Sequence, residues 1–290
     1  MLHEVVRDAA QRFAAAGITN AAGEARLLAA HFLAVAPTEV FLHLREPAPA
    51  GLREAIARRE QRQPLQHIIG TAPFGPLELF VGPGVFIPRP ETEVLAQWAV
   101  DKLSDDLARG KYAGRTPLVL DLCTGTGALA AYIAHEVRSA RVLGVEYSPQ
   151  AWEWAKKNRT QLQAQTRIDY ELHLGDVREE NFFSQFDGQV DLIVSNPPYV
   201  PRDETLSPEV YADPDDAVFA GVTGMDVIDD LAPLVARLLR PGGLVGIEHD
   251  DSTSRQVQQV LRAQPDLAEV TALADLTGRD RFVTAAKRVD

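Results

Sequence analysis

The chain of 290 residues has a single cysteine, Cys123, and is poor in basic residues relative to acidic ones. One cysteine excludes an intramolecular disulfide framework and a cysteine-based zinc site, which fits a reducing cytoplasm. The 29 Lys and Arg residues against 41 Asp and Glu residues leave a net charge of −12. Proteins whose main partner is nucleic acid usually carry a basic face, so the acidic balance argues against that class.

Long apolar runs and metal-binding histidine patterns are also missing. No stretch is long enough to cross a membrane, and the N-terminal residues lack the charged and apolar regions of a signal peptide. The seven histidines do not form an HExxH pattern. The sequence therefore predicts a cytoplasmic protein with no membrane partner and no metal ion.

The pattern of apolar residues and breakers divides the chain into three parts. Residues 1–75 are predicted to be helical, because apolar and small residues recur at helical spacing. Residues 76–90 contain Gly82-Pro83-Gly84 between two short apolar runs and predict a β-hairpin linker. Residues 91–290 alternate strand and helix, which indicates an α/β, Rossmann-like domain with a mostly parallel sheet. A turn at Gly278 predicts that the last two strands pair antiparallel.

A glycine-containing loop, Asp121-Leu122-Cys123-Thr124-Gly125-Thr126-Gly127, lies between the first strand of this sheet and its helix. Its two glycines allow a sharp turn and a close approach to a ligand. The spacing Gly125-x-Gly127-x-x-Ala130, with Glu146 further along, also fits the dinucleotide fingerprint. The loop by itself leaves both kinds of ligand open.

Acidic residues at the ends of three successive strands favour S-adenosyl-L-methionine as the ligand, with S-adenosyl-L-homocysteine as product. Asp121 would lie near the cationic amino-acid end, Glu146 would bind ribose hydroxyls, and Asp176 with Val177 would bind the adenine. Pro241-Gly242-Gly243 and the final antiparallel pair are typical of class I methyltransferases with a seven-stranded sheet. The candidate cofactor residues are Asp121, Cys123, Thr124, Gly125, Thr126, Gly127, Glu146, Asp176, Val177 and Asn196.

The stretch Asn196-Pro197-Pro198-Tyr199 follows an apolar strand at residues 190–195. The prolines donate no hydrogen bond and hold the backbone stiffly, so the Asn196 and Pro197 carbonyls have fixed directions. Oxygen acceptors beside an aromatic ring suit a planar NH₂ group, either a glutamine amide or the amine of adenine or guanine. Asn196, Pro197 and Tyr199 are the candidate catalytic residues, and all four residues are candidate substrate-binding residues.

Four motifs together resemble the bacterial release factor glutamine methyltransferases: residues 64–70 (PLQHIIG), 86–93 (FIPRPETE), 196–199 (NPPY) and 275–281 (DLTGRDR). The resemblance implies methyl transfer to the side-chain N5 of the glutamine in the Gly-Gly-Gln loop of class 1 peptide chain release factors, which supports translation termination. Because the chain is acidic, no direct contact with nucleic acid is expected. Cys123 and Asp250 stand where the family usually has glycine.

Two other hypotheses fit part of the sequence. A DNA or RNA methyltransferase acting on exocyclic amines could use the same NPPY site, and a nucleotide-binding protein could use the Gly125 loop alone. The helical domain carries no catalytic motif, and we expect it to dock the body of the release factor. Arg58, Arg59 and Arg62 fall on about a third of a helix circumference and are the expected basic docking face.

Overall fold

The computed structural model describes residues 1–179, 181–202 and 206–289. The chain forms two compact units. One consists of Met1–Thr71 with Leu206–Ala212, and the other of Ala72–Thr205 with Asp213–Asp290. In these described ranges no helix is long and apolar enough to cross a membrane.

The first unit is helical, as the spacing of its apolar residues predicts. Its helices are α1 (Leu2–Ala15), α2 (Ala21–Leu33), α3 (Leu52–Glu60) and α4 (Leu65–Ile69), with 3₁₀ turns at Val40–His43 and Val210–Ala212. Helix α1 buries Leu2, Val5, Ala9 and Phe13, which lie three or four residues apart and so share one face. This face packs in one core with residues of α2 and α3.

Two of the three arginines of the expected basic face, Arg59 and Arg62, are paired with groups of their own unit. Arg59 is only 4% exposed, and its guanidinium contacts Glu24 at 2.5 Å and Glu209 at 2.9 Å. Arg62 pairs with Glu209 at 2.6 Å and donates to the Ala16 carbonyl at 2.8 Å. Helical spacing alone predicts a solvent-facing row of arginines, but carboxylates of the same unit pair with Arg59 and Arg62.

A β-hairpin is present near the predicted position, but its turn is not at Gly82-Pro83-Gly84. Strands β1 (Thr71–Phe74) and β2 (Leu77–Phe80) pair around Gly75-Pro76. Gly75 has a φ of +53°, and a side chain there would collide with the Tyr132 ring. Residues 85–87 form no strand, although Val85 and Ile87 are buried. The weak alternation of apolar residues therefore predicts the hairpin several residues too far along the chain.

The second unit has the predicted seven-stranded, mostly parallel sheet, in the order β5-β4-β3-β6-β7-β9-β8. Only β9 runs antiparallel to its neighbours β7 and β8. The strands are β3 (Leu118–Leu122), β4 (Arg141–Glu146), β5 (Glu171–Leu174), β6 (Val190–Ser195), β7 (Leu239–Glu248), β8 (Leu267–Ala274) and β9 (Asp280–Lys287). The helices are α5 (Thr92–Ala108), α6 (Ala128–Glu136), α7 (Pro149–Thr166), α8 (Asp215–Val218), α9 (Asp226–Leu238) and α10 (Ser254–Arg262).

Strand β7 begins at Leu239, before three residues that by themselves predict a turn. Pro241-Gly242-Gly243 lies inside β7, and the pairing of β6 with β7 shifts register between Val190 and Leu192. A side chain at Gly243 would lie 2.8 Å from the Val190 carbonyl oxygen, so close packing against β6 needs glycine there. The turn signal in the sequence thus marks an irregularity within the strand.

The position of the site follows from the strand order. Strand β3 pairs with β4 on one side and β6 on the other, and such a switch opens a crevice at the carboxyl ends of the strands. Leu122 is the register partner of Ser195, whose hydroxyl donates to the Leu122 carbonyl at 2.7 Å. Cys123 and Asn196 therefore start their loops side by side.

Candidate active site

A cavity of about 250 Å³ lies at this edge of the sheet, and the glycine loop and the NPPY loop share its wall. Most of the residues predicted to form the site line it: Cys123, Thr124, Gly125, Thr126, Glu146, Asp176, Val177, Asn196, Pro197, Pro198 and Tyr199. Lining residues outside the predicted site set include Phe74, Phe86, Thr92, Tyr147, Asp216 and Phe219. The structure thus brings the predicted cofactor and acceptor residues to one cavity.

Asp121 and Gly127, the two ends of the glycine loop, are not among the described residues that line the cavity. Asp121 is fully buried, and its Oδ2 accepts from the Thr124 hydroxyl at 2.5 Å and from the Ala130 N–H at 3.0 Å. Burial raises the pKa of Asp121 to about 7. These bonds shape the loop, and the contribution of Asp121 to the cofactor site stays a prediction.

The loop backbone adopts left-handed conformations at three positions. Gly125 and Gly127 have φ of +58° and +83°, and Cys123 has φ of +63°. A side chain at Gly127 would lie 2.5 Å from the Tyr170 hydroxyl, so packing as well as conformation requires glycine. A non-glycine residue in this region costs about 1–2 kcal/mol, so Cys123 accepts strain that glycine would avoid. Burial raises the pKa of its thiol, which keeps it neutral.

Glu146 links the end of β4 to the glycine loop. Its Oε2 accepts from the Gly125 N–H at 2.8 Å, and its Oε1 accepts from the Ser148 N–H at 2.8 Å. Burial raises the pKa of Glu146. In a dinucleotide site the loop N–H groups bind a pyrophosphate. Here a carboxylate takes the Gly125 donor and would repel phosphate, so the geometry disfavours the dinucleotide reading.

The third acidic strand end is fixed by an arginine two residues later. Asp176 accepts hydrogen bonds from Arg178 Nε at 2.8 Å and from Arg178 Nη2 at 2.7 Å. These bonds lower the pKa of Asp176. The Arg178 guanidinium also lies over the Tyr147 ring, 5.1 Å from its centre. Val177 beside them belongs to the apolar core. This corner offers a flat aromatic face, an apolar wall and an oriented carboxylate.

The residues present fit S-adenosyl-L-methionine. The acidic and basic side chains that line the described part of the cavity are three carboxylates, Glu146, Asp176 and Asp216, and one arginine, Arg178. Such a wall favours a ligand with net positive charge over a polyphosphate. Glu146 keeps further lone pairs on its oxygens for hydroxyl donors.

Residues 86–93, one of the resembling motifs, are anchored within the second unit by an ion pair between Arg89 and the buried Asp213. Arg89 contacts the side chain of Asp213 at 2.5 Å, and Asp213 also accepts from the Ile87 N–H at 3.2 Å. Burial raises the pKa of Asp213 to about 6. Arg89 lies over the Phe86 ring at 4.9 Å, so the motif fixes Phe86 in the cavity wall.

A chain of hydrogen bonds runs behind the NPPY loop. The Asn196 amide nitrogen contacts Thr92 Oγ1 at 3.4 Å, and the Thr92 hydroxyl donates to Glu248 Oε2 at 2.7 Å. The Tyr199 hydroxyl donates to Glu248 Oε1 at 2.9 Å. Burial raises the pKa of Glu248 to about 7. Burial also raises the pKa of Tyr199 well above its ordinary value.

Sequence reasoning did not select Thr92 or Glu248 as site residues. A signal for Glu248 was present, because it ends a strand of the same sheet as the other selected acids do. Thr92 lies in the Phe86–Glu93 motif, where its place near a helix start also reads as ordinary capping chemistry.

Two domain families match the sequence. The PrmC N-terminal domain matches residues 4–70, and a methyltransferase domain matches residues 119–212. Among solved structures, the hMettl16 catalytic domain in complex with MAT2A 3′UTR hairpin 6 superposes with a TM-score of 0.55. It covers 82% of this chain and 83% of that chain at 16% identity, which supports the fold alone.

Full-length relatives are much more similar. The release factor glutamine methyltransferase of Corynebacterium glutamicum is 49% identical over 286 residues, which is 99% of each chain. Further proteins of that name match over similar lengths. A 4-amino-L-phenylalanine/4-methylamino-L-phenylalanine methyltransferase of Streptomyces pristinaespiralis is 38% identical over 90% of this chain and 87% of its own. The chain belongs to the release factor glutamine methyltransferase family.

Proposed function

We propose that the protein transfers a methyl group from S-adenosyl-L-methionine to the side-chain N5 of the glutamine in the Gly-Gly-Gln motif of peptide chain release factors. The observation that carries this proposal is the shared cavity. A loop suited to a cationic cofactor and a loop suited to a planar NH₂ group begin at register partners on β3 and β6. Nearly full-length similarity to release factor glutamine methyltransferases supports the choice of acceptor and does not favour a nucleic-acid base.

The acceptor chemistry calls for positioning rather than for a strong base. An amide nitrogen is a poor nucleophile because its lone pair is delocalised into the carbonyl group. Asn196 Oδ1 and the Pro197 carbonyl can each accept one N–H of the glutamine amide. Two such bonds would fix the nitrogen's direction, and the rigid prolines keep the carbonyl from turning away.

When bound, S-adenosyl-L-methionine supplies an electrophilic methyl group on a positively charged sulfur. Glu146, Asp176 and Asp216 favour that positive charge in the cavity, and the neutral product S-adenosyl-L-homocysteine gains less from them. Asn196 and Pro197 hold the acceptor while its nitrogen takes the methyl group. The proton leaves that nitrogen afterwards, to water.

Substitution of Asn196 tests the acceptor site. Asn196→Ala is expected to lower the rate at saturating cofactor by about 100-fold, the order expected when a reacting atom is misplaced. Affinity for S-adenosyl-L-methionine, measured by calorimetry, should change by less than about threefold, since the lost group faces the acceptor. The matched control is Asn181→Ala at an exposed position. Near-normal turnover by a folded Asn196→Ala protein would remove the acceptor assignment.

A second assay tests the acceptor itself. Labelled S-adenosyl-L-methionine is offered with release factor, DNA, RNA or 4-amino-L-phenylalanine in separate reactions. The amino acid is included because the relative from Streptomyces pristinaespiralis is named for it. We expect label on the release factor, at the glutamine of its Gly-Gly-Gln motif. Preferential labelling of any other acceptor would reassign the function.

We also propose that the helical unit docks the body of the release factor. Free glutamine is abundant in cells, so selectivity must come from contacts beyond one side chain. This unit exposes two adjacent apolar residues, Phe41 at 66% and Leu42 at 64%, which an association surface would use. Replacing both residues with serine should raise KM for intact release factor. The KM for a short Gly-Gly-Gln peptide should not change. Leu276→Ser, at another exposed apolar position, is the control.

A further inference from the structure

The two ends of the Asn196 amide group are chemically opposite, and only one of them suits the acceptor. Its oxygen accepts hydrogen bonds, whereas its nitrogen only donates them. An incoming glutamine NH₂ group carries two N–H donors, so it needs the Asn196 oxygen and is repelled by the nitrogen. Rotation of the side chain by half a turn exchanges the two with little change in shape. Something must therefore fix the amide in the productive orientation.

The hydrogen bonds behind Asn196 have only one consistent direction when Glu248 is ionised. A carboxylate is an acceptor only, so the Thr92 hydroxyl must donate its single hydrogen to Glu248, 2.7 Å away. The Thr92 oxygen is then left as an acceptor toward Asn196, at 3.4 Å. It can bond the amide nitrogen and not the amide oxygen. The Asn196 oxygen is consequently turned away from Thr92 and toward the cavity.

Burial makes this constraint strong. Thr92 is 3% exposed and Glu248 is 1% exposed, so water cannot easily supply replacement partners. A reversed amide would place its oxygen against the Thr92 oxygen in a buried setting, which costs about 1–3 kcal/mol.

The charged surroundings of Glu248 act in both directions. The Tyr199 hydroxyl donates to its second oxygen at 2.9 Å, and the nearby Arg281 stabilises its negative charge. Asp275 accepts from Arg281 Nε at 2.8 Å, so the motif at residues 275–281 keeps Arg281 near Glu248. Glu91 next to Thr92 opposes ionisation, and burial opposes it most. The carboxyl group is thus poised between its two forms.

We propose that Thr92 and Glu248 are positioning residues that set the direction of the Asn196 amide and so determine which groups the acceptor pocket can hold. The inference rests on the proposed role of Asn196 in binding the glutamine amide. It adds a specificity device, because a pocket of this polarity accepts an NH₂ group and rejects a carboxylate or carbonyl. Glutamate and glutamine differ in that group.

The test compares Thr92→Val, which keeps the shape and removes the hydroxyl, with Thr92→Ser, which keeps the hydroxyl and removes a methyl group. Thr92→Val should lower kcat for release factor about tenfold, the order expected for one lost hydrogen bond. Thr92→Ser should stay within about threefold of the parent. Cofactor affinity by calorimetry should be similar for both variants, and Thr92→Val should melt at a lower temperature than Thr92→Ser because the buried Glu248 loses a donor.

A pH profile gives a readout that a packing role would not move. Protonated Glu248 can donate to Thr92, which then donates to the Asn196 oxygen and reverses the amide. The parent protein should therefore lose kcat below about pH 7, following the ionisation of Glu248. In Thr92→Val the link is cut, so kcat should be low and nearly independent of pH in that range.

The outcomes separate this inference from the proposed function. A large loss of kcat in Thr92→Val, with near-normal kcat in Thr92→Ser, supports the relay of hydrogen bonds from Glu248 through Thr92 to Asn196. Equal losses in both variants, or losses in neither, overturn it while the effect of Asn196→Ala still stands. If Asn196→Ala itself keeps near-normal turnover, the acceptor assignment fails and the relay fails with it.

Discussion

Arg59 should be the most stability-sensitive arginine of the helical unit. Its guanidinium donates to Glu24 at 2.5 Å, to Glu209 at 2.9 Å and to the Gln63 carbonyl at 3.1 Å. It thereby joins the segment Leu206–Ala212 to α2 and α3. Arg58, the preceding residue, is partly exposed and bonds only the Gln63 side chain among the described contacts, at 2.9 Å.

The expected magnitude follows from burial. Removing one partner of a buried ion pair costs about 3–5 kcal/mol, because the other charge is left without compensation. The Glu24 and Glu209 side chains remain 18% and 20% exposed, and Arg62 still pairs with Glu209. Water and Arg62 therefore offset part of the loss. We expect Arg59→Ala to destabilise the helical unit by about 2–3 kcal/mol, and Arg58→Ala by less than about 0.5 kcal/mol.

Urea unfolding of the full-length protein, followed by circular dichroism, measures both variants. Limited proteolysis identifies which unit opens first. Burial raises the pKa of Glu209, but hydrogen bonds from Arg62 and Arg59 outweigh this and lower it to about 2. The stability this gives is present above the unfolded pKa near 4.5 and is lost as pH falls toward 2. The difference in free energy of unfolding between the parent and Arg59→Ala should therefore become smaller as pH falls over that range. Equal stabilities of Arg58→Ala and Arg59→Ala at neutral pH would refute the reasoning.

Three further predictions concern the second unit. Glu146→Ala should weaken binding of S-adenosyl-L-methionine about 10- to 100-fold, because hydrogen bonds to a charged group are lost, and calorimetry showing unchanged affinity would place the ribose elsewhere. Gly127→Ala should lower the melting temperature more than Gly125→Ala, because both have positive φ but only the former meets Tyr170; similar melting temperatures would contradict the clash. Glu248 has a folded pKa raised to about 7, so its contribution to stability is present below pH 4.5 and is lost as pH rises through 7. Glu248→Gln should reduce this loss, measured by urea unfolding at pH 5 and pH 8, by about 1–3 kcal/mol, and an unchanged slope would mean that another group titrates.

The sequence by itself determined the sheet, its approximate strands and the two loops that share the cavity. Strands β3, β4 and β6 are predominantly apolar, and glycine or proline lies near their ends, so the local pattern suffices to find them. Parallel strands joined by helices then bring their carboxyl ends to one edge. The family resemblance rests on the same short motifs.

Tertiary structure alone decided which polar groups meet. Thr92 and Glu248 are 156 residues apart in the chain, and Arg59 and Glu209 are 150 apart, so no local pattern records either contact. Folding also decided that Asp121 accepts from the Thr124 hydroxyl and from the Ala130 N–H at the start of α6. Burial, which only the packed chain defines, turned an apparent basic surface at Arg59 into an internal ion pair and removed Thr92 and Glu248 from water.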